Sequence, residues 1–371
     1  MLNILKEMER CRKQKKRGVL ATIIRIDGSS YQKEGAKCFY SEDGRLTGLL
    51  SGGCVESDVI EHAKMVLETG IPKKVTYDFR DQNDDLWGLG VGCNGSIEIF
   101  LETFDPIKLP SLSKMMEINH ISINNDIVAT ITASNNQSTV GEKWLVSSKN
   151  DSVSIAGCVI HLKQNIAIQK RKSTLVKLNG NEIFFDFINP IPELIIFGAG
   201  PDAVPLINGV KNLGWKVKVA DHRPGFLTQE NFHNADGLIH YSKGLVPDIQ
   251  LNDTTFTVIM SHNFSQDQLV LELLLKSNVP YIGVLGPSRR TKRLLEPILQ
   301  KYQEKYLGLT RINSPVGIDI GAKTPEEIAL SISAELVNVL RGGNSIHLKE
   351  TKGEDLIANR GNEESRCSIL I

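Results

Sequence analysis

The chain has 371 residues, of which 41% are hydrophobic and 23% charged, and its 43 basic residues balance its 43 acidic ones. This composition is typical of a globular protein of two or three domains and excludes a disordered scaffold. A net charge of zero argues against general nucleic-acid binding. No stretch approaches the roughly 18 consecutive apolar residues of a membrane helix, and the first residues lack the apolar core of a signal peptide. We therefore expect a cytoplasmic protein without a membrane span.

The N-terminal half predicts an α+β domain. An amphipathic helix that starts at Leu2 and stops at Gly18 precedes several β-branched or apolar stretches. The predicted strands are 19–26, 37–40, 46–50, 97–101, 127–131, 143–146 and 182–187. Two prolines in three residues, Pro190 and Pro192, mark residues 189–192 as a linker, because proline interrupts both helices and sheet ladders. The first domain is therefore expected to span residues 1–188.

Apolar runs alternate with helical patterns over residues 193–343. This alternation predicts a Rossmann-like, doubly wound parallel sheet with helices on both faces. The predicted strands are 194–197, 217–220, 256–260, 281–285 and 316–320. Thr324 and Glu327 have the spacing of a capping box at the start of the last helix, which should end near Gly342. Residues 344–371 are polar without periodicity and predict a flexible tail.

A candidate nucleotide site follows the first strand of the second domain. Gly198, Gly200 and Ala203 form a G-x-G-x-x-A pattern, which lets a pyrophosphate approach the N-terminus of a helix. Asp221 ends the next strand, where an acidic side chain can accept hydrogen bonds from ribose hydroxyls. The pattern predicts NAD or another nucleotide as a ligand. In the alternative interpretation, the glycines serve only the packing of the sheet.

Three other segments follow strands of the same sheet and should meet at its carboxyl edge. They contribute His222 with Arg223, His262, and Arg289 with Arg290. Guanidinium groups beside a helix N-terminus suit a phosphate. The alternative is a solvated arginine pair with loop histidines that have local partners.

Two glycine-rich segments of the first domain each contain a cysteine. Ser51, Gly52 and Gly53 precede Cys54, which is predicted to lie in the first turn of a helix. The positive end of that helix would stabilise a thiolate, which is a better nucleophile and soft-metal ligand than a thiol. An inert, buried cysteine is the alternative.

The second thiol, Cys93, lies between Gly92 and Gly95. Backbone N–H groups there could form an anion-binding nest, and a bulged approach to a strand is the alternative. The six cysteines of the chain carry no CxxC or CxxH spacing, so neither a structural zinc site nor a disulfide framework is expected.

In their order and combination, these segments resemble the XdhC/CoxI family, the accessory factors of xanthine dehydrogenase and related molybdenum hydroxylases. The resemblance covers residues 1–343 and rests on ATIIRIDGSSYQKEGAK, SGGCVESDVIE, LWGLGVGCNGSIEIFLE, LIIFGAGPDAVPL, VADHRPGF, YIGVLGPSRR and GIDIGAKTPEEIALSI. It implies an N-terminal XdhC/CoxI domain followed by a Rossmann-like domain. It also implies that Cys54 and Cys93 are the family's motif cysteines, which would act on the cofactor and contact molybdenum. Asn94, Asn263 and the pair Lys33-Glu34 depart from the family's usual residues.

The resemblance implies a maturation chaperone rather than a turnover enzyme. Such a factor binds molybdenum cofactor in its molybdopterin form, assists its sulfuration and delivers it to an apo xanthine dehydrogenase-type hydroxylase. A cysteine desulfurase and a second copy of the chain are the other implied partners. The alternative is an NAD-dependent oxidoreductase, which Gly198, Gly200 and Asp221 support, but no clear acid/base pair for hydride transfer is present in the sequence.

Overall fold

The computed structural model describes residues 2–53, 55–80, 95–107, 126–147, 150–155, 157–162, 172–188, 190–302 and 308–346. The chain divides into two units, Met1–Ile191 and Pro192–Ile371. Most of the predicted tail, 344–371, lies outside the described residues. None of the described helices is long and apolar enough to cross a membrane.

The first unit is dominated by antiparallel strands. Its described elements are α1 (Leu2–Lys13), β1 (Gly18–Gly28), β2 (Lys37–Ser41), β3 (Leu46–Gly48), α2 (Glu56–Thr69), β4 (Lys73–Asp78), β5 (Gly95–Phe104), β6 (Asp126–Ala133), β7 (Lys143–Ser147), β8 (Ser152–Ile155), β9 (Cys158–His161), β10 (Thr174–Leu178) and β11 (Asn181–Phe187). They form a five-stranded sheet in the order β3-β2-β1-β5-β4, a four-stranded sheet in the order β10-β11-β6-β7, and the pair β8-β9.

Both faces of the five-stranded sheet are covered, which explains the almost unbroken apolar run of β1. Successive side chains of a strand point to opposite faces. Ala21 therefore belongs to the cluster that packs against α2, whereas Leu20 belongs to the cluster that packs against α1. Ile24 and Phe100 contact Phe184 of the four-stranded sheet.

Two buried ion pairs also connect these two sheets. Lys37 Nζ lies 2.6 Å from Asp186 Oδ2, and Lys143 Nζ lies 2.8 Å from Glu102 Oε1. All four side chains are at most 7% exposed. A buried charge without its partner is strongly destabilising, so these pairs restrict how the two sheets can be arranged.

The second unit is built on one parallel sheet. Its described elements are β12 (Glu193–Phe197), α3 (Ala203–Asn212), β13 (Lys216–Asp221), β14 (Gly237–His240), β15 (Thr255–Ile259), α4 (Phe264–Leu275), β16 (Tyr281–Val284), α5 (Ser288–Lys301), β17 (Ile312–Asn313) and α6 (Pro325–Arg341). The strand order is β14-β13-β12-β15-β16-β17. One core cluster joins the sheet to α3 and α6, and another joins it to α4 and α5, so the predicted doubly wound sheet is confirmed.

The capping box at Thr324 and Glu327 is confirmed, and α6 ends at Arg341 with Gly342 as its C-cap, near the predicted position. The predicted strand 316–320 is wrong. Gly317 has a φ of +106°, and its amide donates to Glu335 of α6. The amide of Ile318 donates to the carbonyl of Ser331 in the same helix. This segment therefore pairs with α6, and the two-residue β17 completes the sheet instead.

Several other boundaries differ from the prediction. Helix α1 ends at Lys13, and Gly18 starts β1 rather than ending the helix. Strand β3 ends at Gly48, because the amide of Leu50 is bonded to the side chain of Glu56. The strands that were not predicted are β4, β8, β9, β10, β14 and β17, since short or mostly polar strands leave little periodicity in a sequence.

Candidate functional site

Three motif segments of the first unit meet at one end of the five-stranded sheet. Gly28 at the end of β1 pairs with Gly95 at the start of β5. A β-carbon on Gly95 would lie 2.5 Å from the carbonyl oxygen of Asp27, so glycine is required there. A β-carbon on Gly52 would lie 3.5 Å from the ring of Tyr31. Residues 27–31, the loop 51–53 and the start of β5 are therefore neighbours.

The side chain of Glu56 fixes the conformation of this loop. Its Oε1 accepts hydrogen bonds from the amides of Leu50 at 2.9 Å and Ser51 at 2.8 Å. Its Oε2 accepts from the hydroxyl of Ser51 at 2.6 Å and the amide of Gly53 at 3.0 Å. Burial raises the pKa of Glu56, but these hydrogen bonds outweigh burial and hold the pKa below its ordinary value. No role was predicted for Glu56, although it lies in one of the motifs.

The outer side of the loop is open. Gly53 has a φ of +113°, and nothing lies within 4 Å of the position that a β-carbon would take. The neighbouring side chain of Tyr31 is 62% exposed. A flat ligand can therefore approach the backbone of the loop beside an accessible aromatic ring. Tyr31 was not among the predicted site residues either.

Cys54, Gly92 and Cys93 lie outside the described residues, so the roles predicted for the two thiols stay predictions. The predicted helix start is wrong. Helix α2 begins at Glu56 with Val55 as its N-cap, so its first turn comes later in the sequence than expected. The described residues contain no group of three or more His, Cys, Asp or Glu side chains that could hold a metal ion.

The predicted rim of the second unit lies at the carboxyl edge of its sheet. The strand order places the topological switch point between β12 and β15. There the two backbones are close, because a β-carbon on Gly198 would lie 2.4 Å from the carbonyl oxygen of Met260. Nε2 of His262, after β15, lies 3.0 Å from Oδ2 of Asp202, after β12. This contact joins the two loops across the switch point.

Asp221 is fully buried and faces the protein itself. Its Oδ2 accepts from the amide of Ala199 at 2.6 Å and from Nη2 of Arg223 at 2.8 Å. Its Oδ1 accepts from the amide of Arg223 at 2.8 Å. Burial raises the pKa of Asp221, but the bonds from Arg223 and Ala199 outweigh it and lower the pKa. In this arrangement Asp221 anchors Arg223, and both oxygens that were predicted to meet ribose hydroxyls are in use.

A second buried carboxylate anchors a second arginine. Nη2 of Arg290 donates to Oδ2 of Asp267 at 2.7 Å, and the other oxygen of Asp267 accepts from Ser261. Arg290 is thereby linked to the loop after β15. Arg289 is exposed and has no partner within residues 190–302 and 308–346, the described part of this unit.

Two buried polar atoms near Asp221 lack hydrogen bonds within the described chain. One is Nδ1 of His222, which lies 3.3 Å from Oδ1 of Asp221 without the alignment of a hydrogen bond. The other is the hydroxyl of Tyr241, a residue that is 6% exposed.

Comparison with known proteins links both units to one family of proteins. Residues 11–78 match the model described as the XdhC and CoxI family, and residues 194–336 match the model described as the XdhC Rossmann domain. The chain is 34% identical over 327 residues to a Bacillus subtilis protein that is named as a probable xanthine dehydrogenase component, and the match covers 86% of this chain and 92% of that protein.

Two further comparisons agree with this similarity. The chain is 24% identical over 324 residues to the Escherichia coli molybdenum cofactor insertion chaperone PaoD, covering 87% of this chain and 84% of that protein. It is also similar to a crystal structure described as a xanthine dehydrogenase from Bacillus halodurans, with a TM-score of 0.70 and 31% sequence identity. That match covers 96% of this chain and 99% of the other.

Proposed function

Because the chain belongs to the XdhC and CoxI family, we propose that it is an accessory factor that binds molybdenum cofactor as cargo and delivers it to a xanthine dehydrogenase-type hydroxylase. Two relatives support this proposal by their names, the first as a component of xanthine dehydrogenase and the second as a molybdenum cofactor insertion chaperone. The same family membership supports a chaperone rather than an enzyme that turns over a substrate.

The loop 51–53 is the observation that carries the proposal. Its backbone is fixed from the inside by Glu56 and open on the outside at Gly53. The cargo combines a pterin, whose pyrimidine ring is flat, with a molybdenum atom held by two sulfurs. Tyr31 offers the pterin an aromatic surface, and aromatic rings prefer stacked or edge-to-face contacts. Cys54, which follows the loop in sequence, and Cys93 supply the soft sulfur that suits such a metal.

We extend the proposal to the cargo's chemical form and to the partners. The factor would hold the molybdopterin form while a cysteine desulfurase supplies sulfur, and it would act as a homodimer. Backbone groups at Gly52, Gly53, Gly92 and Gly95 would contact the cargo beside the two thiols. Light scattering of the purified protein, alone and mixed with a desulfurase, tests the two interactions.

The decisive experiment measures the cargo directly. The full chain is purified from cells that make the cofactor, and its pterin is oxidised and measured by fluorescence while molybdenum is measured by mass spectrometry. We expect equimolar pterin and molybdenum, and we expect the loaded protein to activate an apo-hydroxylase. A protein that carries neither component and activates nothing would contradict the proposal.

The geometry weakens the alternative of an NAD-dependent oxidoreductase. Both oxygens of Asp221 are bonded to the protein, which leaves no acceptor for ribose hydroxyls at that position. Oδ1 of Asp202 would lie 2.3 Å from a β-carbon on Gly200, so a negative charge covers the turn that a pyrophosphate would approach. Both features oppose a dinucleotide in the observed conformation.

A further inference from the structure

The side chain of Asp202 makes an unusual hydrogen bond for an aspartate at the start of a helix. An aspartate at an N-cap ordinarily accepts a hydrogen bond from an amide in the first turn. Asp202 is the N-cap of α3 but makes no such bond. Its carboxylate lies over Gly200 and reaches Nε2 of His262 at 3.0 Å instead. The carboxylate is therefore held by the opposite loop rather than by its own helix.

The surroundings of this carboxylate are those of an anion-binding site. The amides of Gly200 and Asp202 have no hydrogen-bond partner in the described part of the chain. The amide of Ala199, next to Gly200, and Nη2 of Arg223 both donate to Oδ2 of Asp221, so the guanidinium lies beside the start of this turn. The positive end of α3 adds a fixed partial charge. Asp202 is the only acidic side chain bonded to His262 among the described residues.

His262 is held in a conformation that costs free energy. Its φ is +58°, in the left-handed region, where a residue other than glycine is strained. Its side chain is 64% exposed, so burial does not explain the strain. The strained backbone turns the imidazole toward the loop after β12.

Arg223 is also positioned in advance. Nε and Nη2 are bonded to Asp221, which fixes the plane of the guanidinium. Nη1 has no partner within the described residues of this unit. The guanidinium lies 4.6 Å from the ring centre of Phe226, which is 49% exposed. A cationic donor and an accessible aromatic ring are thus adjacent.

We propose that the turn at Gly200, together with the side chains of His262 and Arg223, forms a binding site for the phosphate monoester of a heteroaromatic compound. The carboxylate of Asp202 occupies this site when the ligand is absent. The phosphate accepts from the free amides, from His262 and from Nη1 of Arg223, while the heteroaromatic ring lies against Phe226. The carboxylate of Asp202 competes with the phosphate, because the two like charges repel.

The site favours a monoester over a dinucleotide for a structural reason. Pro201 has no N–H, so the turn offers fewer donors than a pyrophosphate requires. Asp221 cannot serve a ribose while it holds Arg223 and Ala199. The ligand has two chemical sources, a free nucleoside monophosphate or the phosphate-bearing pterin of the cargo. The site does not depend on the proposed function, since the first source would satisfy it.

Replacing Asp202 tests the proposal. Asp202→Asn keeps the size of the side chain and removes its charge, and the full chain is titrated by calorimetry with AMP and with the oxidised pterin in its phosphorylated form. We expect one of these esters to bind Asp202→Asn at least tenfold more tightly than the unmodified chain. The exposed Asp253→Asn makes the same charge change before β15, at the opposite edge of the sheet, and should leave the affinity unchanged.

Further measurements test His262 as a hydrogen-bond donor and identify the chemical source of the phosphate monoester. Adding His262→Ala to Asp202→Asn should abolish most of the gain, and this exposed residue can be replaced without disturbing the core. Tighter binding of AMP assigns a nucleotide, and tighter binding of the phosphorylated pterin assigns the cargo, provided that phosphatase treatment of that pterin abolishes it. The proposal is overturned if Asp202→Asn binds neither ester more tightly, or gains no more affinity than Asp253→Asn.

Discussion

Oε2 of Glu56 accepts a hydrogen bond from the amide nitrogen of Gly53 at 3.0 Å and thereby connects the start of α2 to the loop that precedes it. The same carboxylate accepts three more hydrogen bonds from residues 50 and 51. A single side chain thus holds the backbone of residues 50–53 in its observed conformation. Its charge matters as well as its size, because every group that faces it is a donor.

Glu56→Gln should lower both stability and cargo binding. An NH₂ group replaces one carboxylate oxygen in glutamine and would face either the N–H groups of Leu50 and Ser51 or that of Gly53, so a donor of the loop loses its acceptor at a cost of about 1–3 kcal/mol. Thermal unfolding and the retained pterin are the two measurements. Glu61→Gln, on the exposed face of the same helix, is the control and should change neither. If Glu56→Gln unfolds at the same temperature and retains as much pterin as the unmodified chain, the hydrogen bonds of Glu56 do not determine the conformation of the loop.

Tyr31→Ala should separate binding from stability. The side chain is 62% exposed, so its removal should leave the melting temperature nearly unchanged. The loss of an aromatic contact should weaken pterin retention by about fivefold, or ~1 kcal/mol. Tyr31→Phe keeps the ring and should retain the cargo as the unmodified chain does. Equal retention by the alanine variant would remove Tyr31 from the site.

Cys54→Ser should reduce the retained cofactor, or its transfer to an apo-hydroxylase, by about tenfold, equivalent to ~1.4 kcal/mol. Serine keeps nearly the same shape and removes the soft sulfur. Cys93→Ser is expected to act in the same direction. Cys367→Ser, outside both motifs, is the control. If Cys54→Ser activates the hydroxylase as well as the control does, the thiol at position 54 is not a cargo ligand.

The ion pair of the buried Asp221 and the partly exposed Arg223 predicts a defined dependence on pH. The pKa of Asp221 is lower in the folded protein, so its charge stabilises fully above the unfolded pKa of about 3.9 and less as the pH falls toward the folded pKa. Asp221→Asn should therefore lower the free energy of unfolding near neutral pH by about 1–3 kcal/mol, because solvent screens the partly exposed guanidinium of Arg223. The difference from the unmodified chain should shrink below about pH 4. Urea unfolding at pH 7, 5 and 3.5 tests this, and an equal difference at all three would contradict it.

Two tyrosines provide a matched comparison of buried hydroxyls. Tyr281 donates to Glu335 at 2.7 Å, whereas the hydroxyl of Tyr241 has no partner in the described chain. Tyr281→Phe should lower the free energy of unfolding by about 1 kcal/mol, but Tyr241→Phe should leave it unchanged or raise it. Thermal unfolding of both variants gives the comparison. A similar loss in Tyr241→Phe would mean that its hydroxyl has a partner after all.

The sequence predicted most accurately the structural features that depend on residues close together in the chain. The alternating strands of the second unit and the capping box at Thr324 follow from local periodicity and spacing, and the structure contains both. The segment 316–320 also has a strand-like pattern, but its amides are bonded to α6. Only the folded chain determines which partner such a segment takes.

The candidate sites were harder to predict for the same reason. Glu56 is conspicuous only after the loop has folded back onto it. Asp202 and His262 are separated by 60 residues, and neither side chain indicates the other in the sequence. Asp221 was found at the expected end of its strand, but its hydrogen bonds give it an anchoring role that spacing does not reveal.

The ion pair between Lys37 and Asp186 has a consequence for the order of events during synthesis. The two residues are 149 positions apart, and Asp186 lies on β11, the last strand of the first unit. While the ribosome is still adding the intervening residues, Lys37 cannot form its ion pair with Asp186. The five-stranded sheet that carries Lys37 then cannot pack against the complete four-stranded sheet. The first unit therefore completes only when its final strand emerges, and a nascent chain stalled before that point exposes apolar surface to proteases and chaperones.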